Sequence, residues 1–181
     1  EDQTYPKRCG HLQNKSLIGA DEMAGKVAAM ADARQSEDTL IIARTDAIAV
    51  EGLSAALERA EQYLESGADI LFIEAPQSNQ QMEEIITTFG ARIPLLANMV
   101  EGGSTPISSA TELQERGFSI AIFPGGIVRA LARTAQDYYA SLHANGSNTA
   151  FMERMFDFDG LNEVIGTNVM LADGARYDRQ K

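Results

Sequence analysis

The chain has 181 residues, of which 44% are hydrophobic and 23% charged, and these values are ordinary for one globular domain with a buried core. Its formal net charge of −11 at pH 7 argues against nucleic acid or an anionic membrane surface as a partner, because both attract basic proteins. A single cysteine excludes an intramolecular disulfide and fits a reducing cytoplasm. We expect neither a membrane span nor a signal peptide, since no apolar segment has the required length or flanks.

The chain begins with a loop whose most informative stretch runs from Lys7 to His11. Lys7 and Arg8 precede the only cysteine, Cys9, and Gly10 and His11 follow it. Positive neighbours favour the thiolate form of a cysteine, and such a thiol can transfer a proton near neutral pH. A glycine lets the backbone approach a ligand closely. A cysteine that only packs is the plain alternative, but five such residues in succession favour a functional loop.

Beyond this loop, strands and helices alternate with a spacing of about 25 to 30 residues. The predicted strands are 39–43, 69–73, 94–97 and 119–123, and the predicted helices begin near residues 20, 51, 80, 109 and 127. The strands are continuously apolar, which predicts a parallel sheet covered on both faces. A doubly wound sheet and a (β/α) barrel both fit this pattern. The first is less favoured, because no glycine-rich dinucleotide motif follows a strand.

A complete barrel usually needs about 250 residues, and only four strands are visible in this chain. We therefore predict an α/β fold in which residues 1–145 form the C-terminal part of a TIM-type (β/α) barrel, about four βα units. Residues 146–181 fall outside the alternation and are predicted to form a C-terminal helical extension, with helices over 149–156 and 161–171. The polar end, residues 176–181, is expected to fray.

Polar residues follow the predicted strands, where parallel α/β folds carry their reactive side chains. They are Arg44 and Asp46, then Glu74, then Asn98 and Glu101. After the fourth strand come Gly125 and Gly126, which open a helix and offer backbone donors to an anion. Each has an ordinary alternative role in an ion pair, a cap or a turn, but together they predict one polar rim. Arg44 offers a planar fork for a carboxylate. Asn98, Ser104 and Thr105 offer neutral donors for a second one, so the rim predicts a small anionic carboxylate substrate.

Several of these segments resemble the isocitrate lyase and phosphoenolpyruvate mutase superfamily, and most closely its methylisocitrate lyase and dimethylmalate lyase branch. The matching segments are Glu1-Asp2-Gln3, Pro6 to His11, Ile41 to Ala47, Phe72 to Ala75 and Leu96 to Asn98. The resemblance covers most of the chain. It implies a (β/α) barrel whose N-terminal half is absent here. It also implies a homodimer or homotetramer in which the C-terminal helices are swapped onto a neighbouring subunit.

The resemblance implies a magnesium-dependent carbon–carbon lyase. Such an enzyme would cleave a 2-hydroxy di- or tricarboxylate, like 2-methylisocitrate or dimethylmalate, to a second carboxylate and a keto acid such as pyruvate. Cys9 would protonate the carbanion left by the cleavage. The other implied catalytic residues are Lys7, His11, Arg44 and Glu74, and the implied substrate-binding residues are Arg8, Gly10, Arg44, Asn98, Ser104 and Thr105.

The resemblance also implies Mg²⁺ or Mn²⁺ as the cofactor, held mainly by aspartates that this chain lacks. Glu1 matches an acid that lies near the ion, commonly through water. Two alternatives stay open: a phosphoenolpyruvate mutase-type or oxaloacetate-directed enzyme of the same superfamily, and an inactive fragment. The mutases and hydrolases that handle phosphonates generally lack the cysteine, so Cys9 favours a lyase. Phe123 to Gly126 departs from the pattern of dedicated methylisocitrate lyases, which leaves the exact substrate open.

Overall fold

The computed structural model of the chain describes residues 1–12 and 14–177. In chain order the elements are α1 (Ala20–Ala33), β1 (Ile42–Thr45), α2 (Ile48–Glu51), α3 (Leu53–Glu65), β2 (Ile70–Ile73), α4 (Asn79–Phe89), β3 (Leu96–Asn98), α5 (Ala110–Arg116), β4 (Ile120–Ile122), α6 (Gly126–Asn145), a 3₁₀ helix (Thr149–Arg154), α7 (Phe158–Val164) and α8 (Thr167–Ala175). The predicted alternation of strands and helices is confirmed, and the fold is α/β.

The four strands are parallel and follow one another in space in the order of the sequence. β1 pairs with β2, with Arg44 opposite Phe72, and β3 pairs with β4, with Asn98 opposite Ile122. A parallel bridge between Leu71 and Leu95 connects β2 to β3. All four carboxyl ends therefore lie at the same edge, because the strands share one direction.

The main core lies between these strands and the helices that connect them. α3 packs on β1, β2 and α1, and its Ala56 and Ala60 are fully buried, as is Tyr63 one turn further along. Met82 and Phe89 of α4 are likewise fully buried in the same cluster. Burying one large apolar side chain contributes about 1.5–3 kcal/mol, so this helix layer fixes the position of the strand ends.

The strand and helix ends differ from the predictions at several points. β1 begins three residues later than predicted. Just before it, the Ile41 N–H donates to the Asp69 carboxylate at 2.8 Å and not to a neighbouring strand, and the same carboxylate pairs with Arg34 at 2.7 Å. The helix predicted to begin at residue 51 is divided by Gly52, whose φ of 90° is open to glycine and strained for other residues. Of the predicted helix 149–156, only Thr149–Arg154 are helical, as a 3₁₀ helix. The predicted helix 161–171 is divided at Gly166, whose φ is 71°.

The chain divides into two compact units, Glu1–Gly126 and Ile127–Lys181; the predicted division after residue 145 stays a prediction. In the second unit, Phe151 is buried and its ring meets Tyr138 edge to face at 5.4 Å. α6, α7 and α8 themselves contain no buried residues. We predicted that residues 176–181 fray; most of this segment, residues 178–181, lies outside the described residues. Among the described helices, none combines the length and apolarity needed to cross a membrane.

Candidate active site

The carboxyl ends of β1, β2 and β3 place three of the predicted side chains beside one another. The Glu74 N–H donates to the Thr45 carbonyl at 3.0 Å, which extends the β1–β2 pairing by one residue. The Asn98 side-chain amide donates to the two Glu74 oxygens at 3.1 and 3.3 Å. Arg44 contributes a planar cation next to them. The predicted polar rim is therefore formed by Arg44, Glu74 and Asn98.

Arg44 is held by two kinds of contact. Its Nε and Nη2 donate to the two oxygens of Asp46 at 2.9 and 3.0 Å, the bidentate geometry that a guanidinium favours. Its guanidinium carbon lies 4.8 Å from the centre of the Phe72 ring, within the range of a cation–π contact. The fork is thus fixed in one orientation before any ligand arrives.

The Cys9-Gly10-His11 turn lies directly on this rim. The turn is closed by a hydrogen bond from the Leu12 N–H to the Cys9 carbonyl at 2.9 Å. His11 Nε2 lies 3.1 Å from Glu74 Oε1. A Cβ atom added at Gly10 would lie 2.4 Å from Glu74 and 2.7 Å from Arg44 Nη2. Gly10 is therefore present because no side chain fits between the turn and the rim.

A second loop, residues 100–106, contacts the same imidazole. The Ser104 backbone N–H donates to His11 Nδ1 at 3.1 Å. Because Nδ1 accepts, the imidazole proton is placed on Nε2, which faces Glu74. The predicted role of Ser104 rested on its hydroxyl, whereas the contact seen here uses its backbone. Thr105, only 4% exposed, has a hydroxyl with no hydrogen-bond partner among the described residues, and the same holds for Asn98 Oδ1.

The remaining residues of the predicted motif are exposed. Lys7 Nζ pairs with Glu1 Oε1 at 3.4 Å. The backbone of Arg8 is held at both its N–H and its carbonyl by the Gln3 side chain, at 2.9 Å each. The Cys9 side chain is exposed and directly precedes Gly10. The catalytic roles of Lys7 and Cys9 and the substrate contact of Arg8 stay predictions.

A cavity of about 420 Å³ opens beside the turn. Its lining includes Gly10, His11, Lys15, Gln77 and Ser104. Small-molecule sites typically have volumes of about 300–1,000 Å³, so this one can enclose a di- or tricarboxylate. Ala75 also lines it and has φ 58°, a conformation that costs energy outside glycine and clusters at functional sites.

Two buried residues of the site had no predicted role. The Lys15 side chain is 1% exposed, with Nζ 3.5 Å from Asp46 Oδ1 and donating to the Gly10 carbonyl. Asp2 is fully buried and accepts hydrogen bonds from the Thr45 hydroxyl, the Asp46 N–H and the Tyr63 hydroxyl at 2.7 to 2.9 Å. The burial of a lysine in a short polar loop cannot be predicted from hydrophobic periodicity. The role of Lys15 is therefore visible only in the folded structure.

The two rim carboxylates have pKa values shifted in opposite directions. Burial raises the pKa of Glu74, and the charge of Arg44 only partly offsets that effect. For Asp46, burial also favours the neutral form, but the hydrogen bond and charge of Arg44 outweigh it and hold the pKa below its usual range. The site therefore contains one fixed anion and one carboxyl group that takes up a proton more readily.

The described residues do not by themselves form a divalent-metal site. They contain no group of three or more His, Cys, Asp or Glu side chains placed to hold an ion. Glu1 lies at the rim, but its two oxygens are each 3.4 Å from a cation, Lys7 Nζ and Arg44 Nε. Asp46 is paired with Arg44 and Lys15. The predicted position of Glu1 near a metal stays a prediction.

Comparison with known proteins gives a family match over most of the chain. Residues 1–143 match the family model described as phosphoenolpyruvate phosphomutase. A 2,3-dimethylmalate lyase of Eubacterium barkeri is 38% identical, over 92% of this chain and 57% of that enzyme. A 2-methylisocitrate lyase of Aeropyrum pernix is 40% identical, over 92% and 53%. A chloroplastic carboxyvinyl-carboxyphosphonate phosphorylmutase of Arabidopsis thaliana is 37% identical, over 98% and 52%.

Solved structures give the same result. A crystal structure of 2,3-dimethylmalate lyase matches with a TM-score of 0.88 and 32% identity, covering 97% of this chain and 58% of that one. A phosphonopyruvate hydrolase in complex with oxalate and Mg²⁺ matches with a TM-score of 0.79 and 25% identity, over 97% and 60%. The chain thus spans between half and three fifths of the length of these relatives.

Proposed function

Because this chain belongs to the phosphoenolpyruvate mutase/isocitrate lyase superfamily, we propose that it carries the catalytic turn of a carbon–carbon lyase acting on a 2-hydroxy di- or tricarboxylate. The observation that supports this most is the seating of the Gly10–His11 turn on Arg44 and Glu74, so closely that a methyl group at Gly10 would overlap them. This arrangement lets the proton donor in the turn, Cys9, and the carboxylate-binding cation on the rim, Arg44, act on the same substrate molecule.

The proposed chemistry uses side chains of the rim and of the turn; of these, His11 also lines the cavity. Arg44 binds a substrate carboxylate through the edge of its guanidinium that Asp46 leaves uncovered. The His11 Nε2 proton, which faces Glu74 in this structure, turns to a second substrate oxygen. The 2-hydroxyl proton leaves to solvent water, and the hydroxyl oxygen becomes a carbonyl oxygen as the adjacent carbon–carbon bond breaks; the Cys9 thiolate left after the later proton transfer regains its proton from solvent. The electron pair stays on the departing carbon, next to its carboxylate. Cys9 then gives its thiol proton to that carbanion, so the products are a keto acid and a saturated carboxylate.

Glu74 has a supporting role in this proposal. It contacts both His11 and Asn98, so it orients the imidazole and the amide that face the substrate oxygens. Asn98 Oδ1 and the Thr105 hydroxyl, which lack hydrogen-bond partners among the described residues, are groups that a polar ligand would satisfy. Arg8 and the two loops complete the enclosure and exclude water.

We also propose that the reaction requires Mg²⁺ or Mn²⁺, which would stabilise developing negative charge as a Lewis acid. The support is the family match, together with a structural relative described as a complex with oxalate and Mg²⁺. Glu1 is the rim acid that would face such an ion across water. Since the described residues do not complete a metal site, the residue roles above are stated without the ion.

The wider setting of the reaction is part of the same proposal. The strand order and the similarity to the barrel enzymes of the superfamily support a role for this chain as the C-terminal portion of a (β/α) barrel. The apolar side chains exposed on α7 and α8 support docking against a second copy, in a homodimer or homotetramer. A single cysteine fits a cytoplasmic location.

A substrate panel tests the proposal. Pyruvate release from 2-methylisocitrate and 2,3-dimethylmalate is followed with and without added MgCl₂. Conversion of phosphonopyruvate is followed in parallel, both as phosphoenolpyruvate formed and as phosphate released. We expect pyruvate from at least one 2-hydroxy acid, and only in the presence of the metal. Turnover of the phosphonate alone would favour the mutase or hydrolase alternative, to which the plant phosphorylmutase relative lends support. No turnover of any substrate would leave the chain an inactive fragment.

The variant Cys9→Ser tests the proton donor. We expect turnover to fall by about 10²–10⁴-fold, the usual contribution of general acid catalysis, because a hydroxyl is a far weaker acid than a thiol. Substrate affinity, measured by calorimetry, should change little, since Cys9 is exposed and not among the rim contacts. Unchanged turnover would remove Cys9 from the mechanism.

A further inference from the structure

The exposed Cys9 lies between two backbone anchors that come from other parts of the chain. On one side, the Gln3 amide accepts the Arg8 N–H and donates to the Arg8 carbonyl, both at 2.9 Å. On the other side, the Lys15 ammonium donates to the Gly10 carbonyl. The residues that flank Cys9 are thus each held at the main chain, and the thiol stays exposed between them.

The second anchor depends on a buried charge. The Lys15 side chain is 1% exposed, and its Nζ lies 3.5 Å from Oδ1 of Asp46, which is fully buried. A buried ammonium is costly unless an anion compensates it. Asp46 is in turn fixed by Asp2, which accepts its backbone N–H at 2.9 Å. Lys15 therefore connects the turn to the most rigidly held part of the rim.

The mechanism proposed above uses neither of these side chains. Arg44 and His11 meet the substrate, whereas Lys15 directs its charge at a backbone carbonyl and at Asp46. We propose that Gln3 and Lys15 are positioning residues that hold the Cys9 turn against the rim, with Lys15 as the stronger anchor. The effect on turnover rests on the proposed function, while the effect on the turn does not.

Hydrogen exchange tests the anchor directly. In Lys15→Met, which keeps the length of the side chain and removes its charge, we expect amide exchange over residues 8–12 to rise at least about tenfold as the turn opens. Exchange over α3 should stay unchanged. The control is Lys26→Met, which removes the same charge from an exposed i,i+4 pair on α1. Unchanged exchange at the turn in Lys15→Met would overturn the proposal.

A rescue experiment separates positioning from general stabilisation. Lys15→Ala leaves a space that propylammonium can enter from solution. We expect added propylammonium chloride to restore protection over residues 8–12, and tetramethylammonium chloride at equal ionic strength to have no such effect. Faster exchange throughout the chain without rescue would overturn the proposal, because Lys15 would then only stabilise the fold. Gln3→Leu, which removes both hydrogen bonds to the Arg8 backbone and adds no charge beside Asp46, should show a smaller rise at the same residues.

Turnover gives an independent readout. If the wild type is active on a 2-hydroxy acid, Lys15→Met should lower kcat by about 10²-fold, the scale expected from misplacing a reacting group, with little change in KM. A change in KM alone would make Lys15 a substrate-binding residue and contradict the proposal. An inactive wild type would count against the proposed function, and the exchange experiments would still decide the role of Lys15.

Discussion

Gly10 is the residue at which the site has least room. Its missing side chain lets the turn contact Glu74 and Arg44 at once, and a Cβ would lie within 2.4 Å of the first. Close approach of a backbone to charged side chains is one of the few tasks that only glycine performs. The requirement is local, since Gly25 in α1 has nothing within 4 Å of the same added atom.

The variant Gly10→Ala should therefore lose most of the activity. We expect turnover to fall by about 10²-fold or more, because the turn must shift away from the rim, and stability to fall by about 1–3 kcal/mol from overpacking. Steady-state kinetics and urea unfolding measure the two effects. The matched control, Gly25→Ala, should keep full activity and gain about 0.5–1 kcal/mol in helix stability. Equal activity of the two variants would contradict the tight contact.

The pKa of Glu74 predicts a pH-dependent stability. Burial raises this pKa above the ordinary glutamate value of about 4.5, so the folded chain binds the proton more tightly than the unfolded chain. The stability of the wild type relative to Glu74→Gln should therefore be greatest near and below pH 4.5 and should fall as the pH rises through the folded-state pKa. Urea unfolding of both proteins across this range measures the difference.

Glu112 provides a control of opposite sign. Its pKa is lowered by the hydrogen bonds from the Ser109 backbone and hydroxyl in the capping box of α5. The stability of the wild type relative to Glu112→Gln should accordingly rise as the pH rises through the lowered pKa toward and beyond 4.5, and should be lost at lower pH. The same trend for both glutamates would show that Glu74 is not shifted by burial.

The sequence predicted the rim residues better than the residues that support them. Arg44, Glu74 and Asn98 could be identified because each lies at or just after the end of a strand, and parallel strands bring those ends together. Gln3 and Asp2 lay inside a recognised motif, but their partners are 5 to 61 residues away along the chain. Spacing reveals periodic contacts within an element, and it carries no information about a hydrogen bond between two loops.

Among the elements, β1 and α3 are joined by one buried carboxylate. Asp2 accepts hydrogen bonds from Thr45 at the end of β1 and from Tyr63 in α3, and Arg59 lies 3.4 Å from it. These donors would be left without a partner in the core if the acceptor were lost, and buried groups of this kind are costly when unpaired. The carboxylate therefore fixes the strand that carries Arg44.

The variant Asp2→Ala should lower the free energy of unfolding by about 3–5 kcal/mol, because the Thr45 hydroxyl, the Asp46 N–H and the Tyr63 hydroxyl lose their acceptor and each buried unpaired group costs about 1–3 kcal/mol. Chemical unfolding followed by circular dichroism measures the loss. Asp38→Ala is the matched control, since Asp38 is exposed, and its stability should stay within about 0.5 kcal/mol of the wild type. A comparable loss in both variants would mean that the Asp2 contacts do not stabilise the fold.

The existence of the elements was easier to predict than their ends. Apolar runs located all four strands; β2 fits the expected burial on both faces, since all four of its residues are buried, whereas β1 and β4 are only partly covered. The start of β1 depends on Asp69, which lies 28 residues beyond Ile41 and takes its N–H out of the ladder. The divisions at Gly52 and Gly166 depend on positive φ angles. A glycine in the sequence permits a positive φ angle but does not predict one, because the packing of the surrounding chain decides whether a turn forms there.

At the scale of the whole molecule, the second unit exposes an unusual amount of apolar surface. Phe158, Val164, Val169 and Leu171 are between 66% and 84% exposed, although they lie on two short helices. Large apolar side chains that are exposed on the same short helices are a feature of interaction sites, and short helices without buried side chains gain little stability on their own. This supports the proposed docking of α7 and α8 against a second copy.

Light scattering coupled to size exclusion tests that docking. We expect the wild type to show a mass that is an even multiple of a single chain, because the apolar helices are covered in a symmetric assembly. The double variant Val169→Glu and Leu171→Glu should shift the mass toward the monomer. Asn168→Glu adds a charge at an exposed polar position of the same helix and should leave the mass unchanged. A monomeric wild type would contradict the proposal.

The hydrogen bond from Ser104 to His11 has a consequence for the mobility of the loops beside the cavity. The two loops that it joins are separated by 93 residues along the chain, and an added Cβ at Gly103 would lie 2.7 Å from the same imidazole nitrogen. Neither loop can swing outward alone without breaking that bond. A substitution that weakens this hydrogen bond should therefore increase the mobility of both loops.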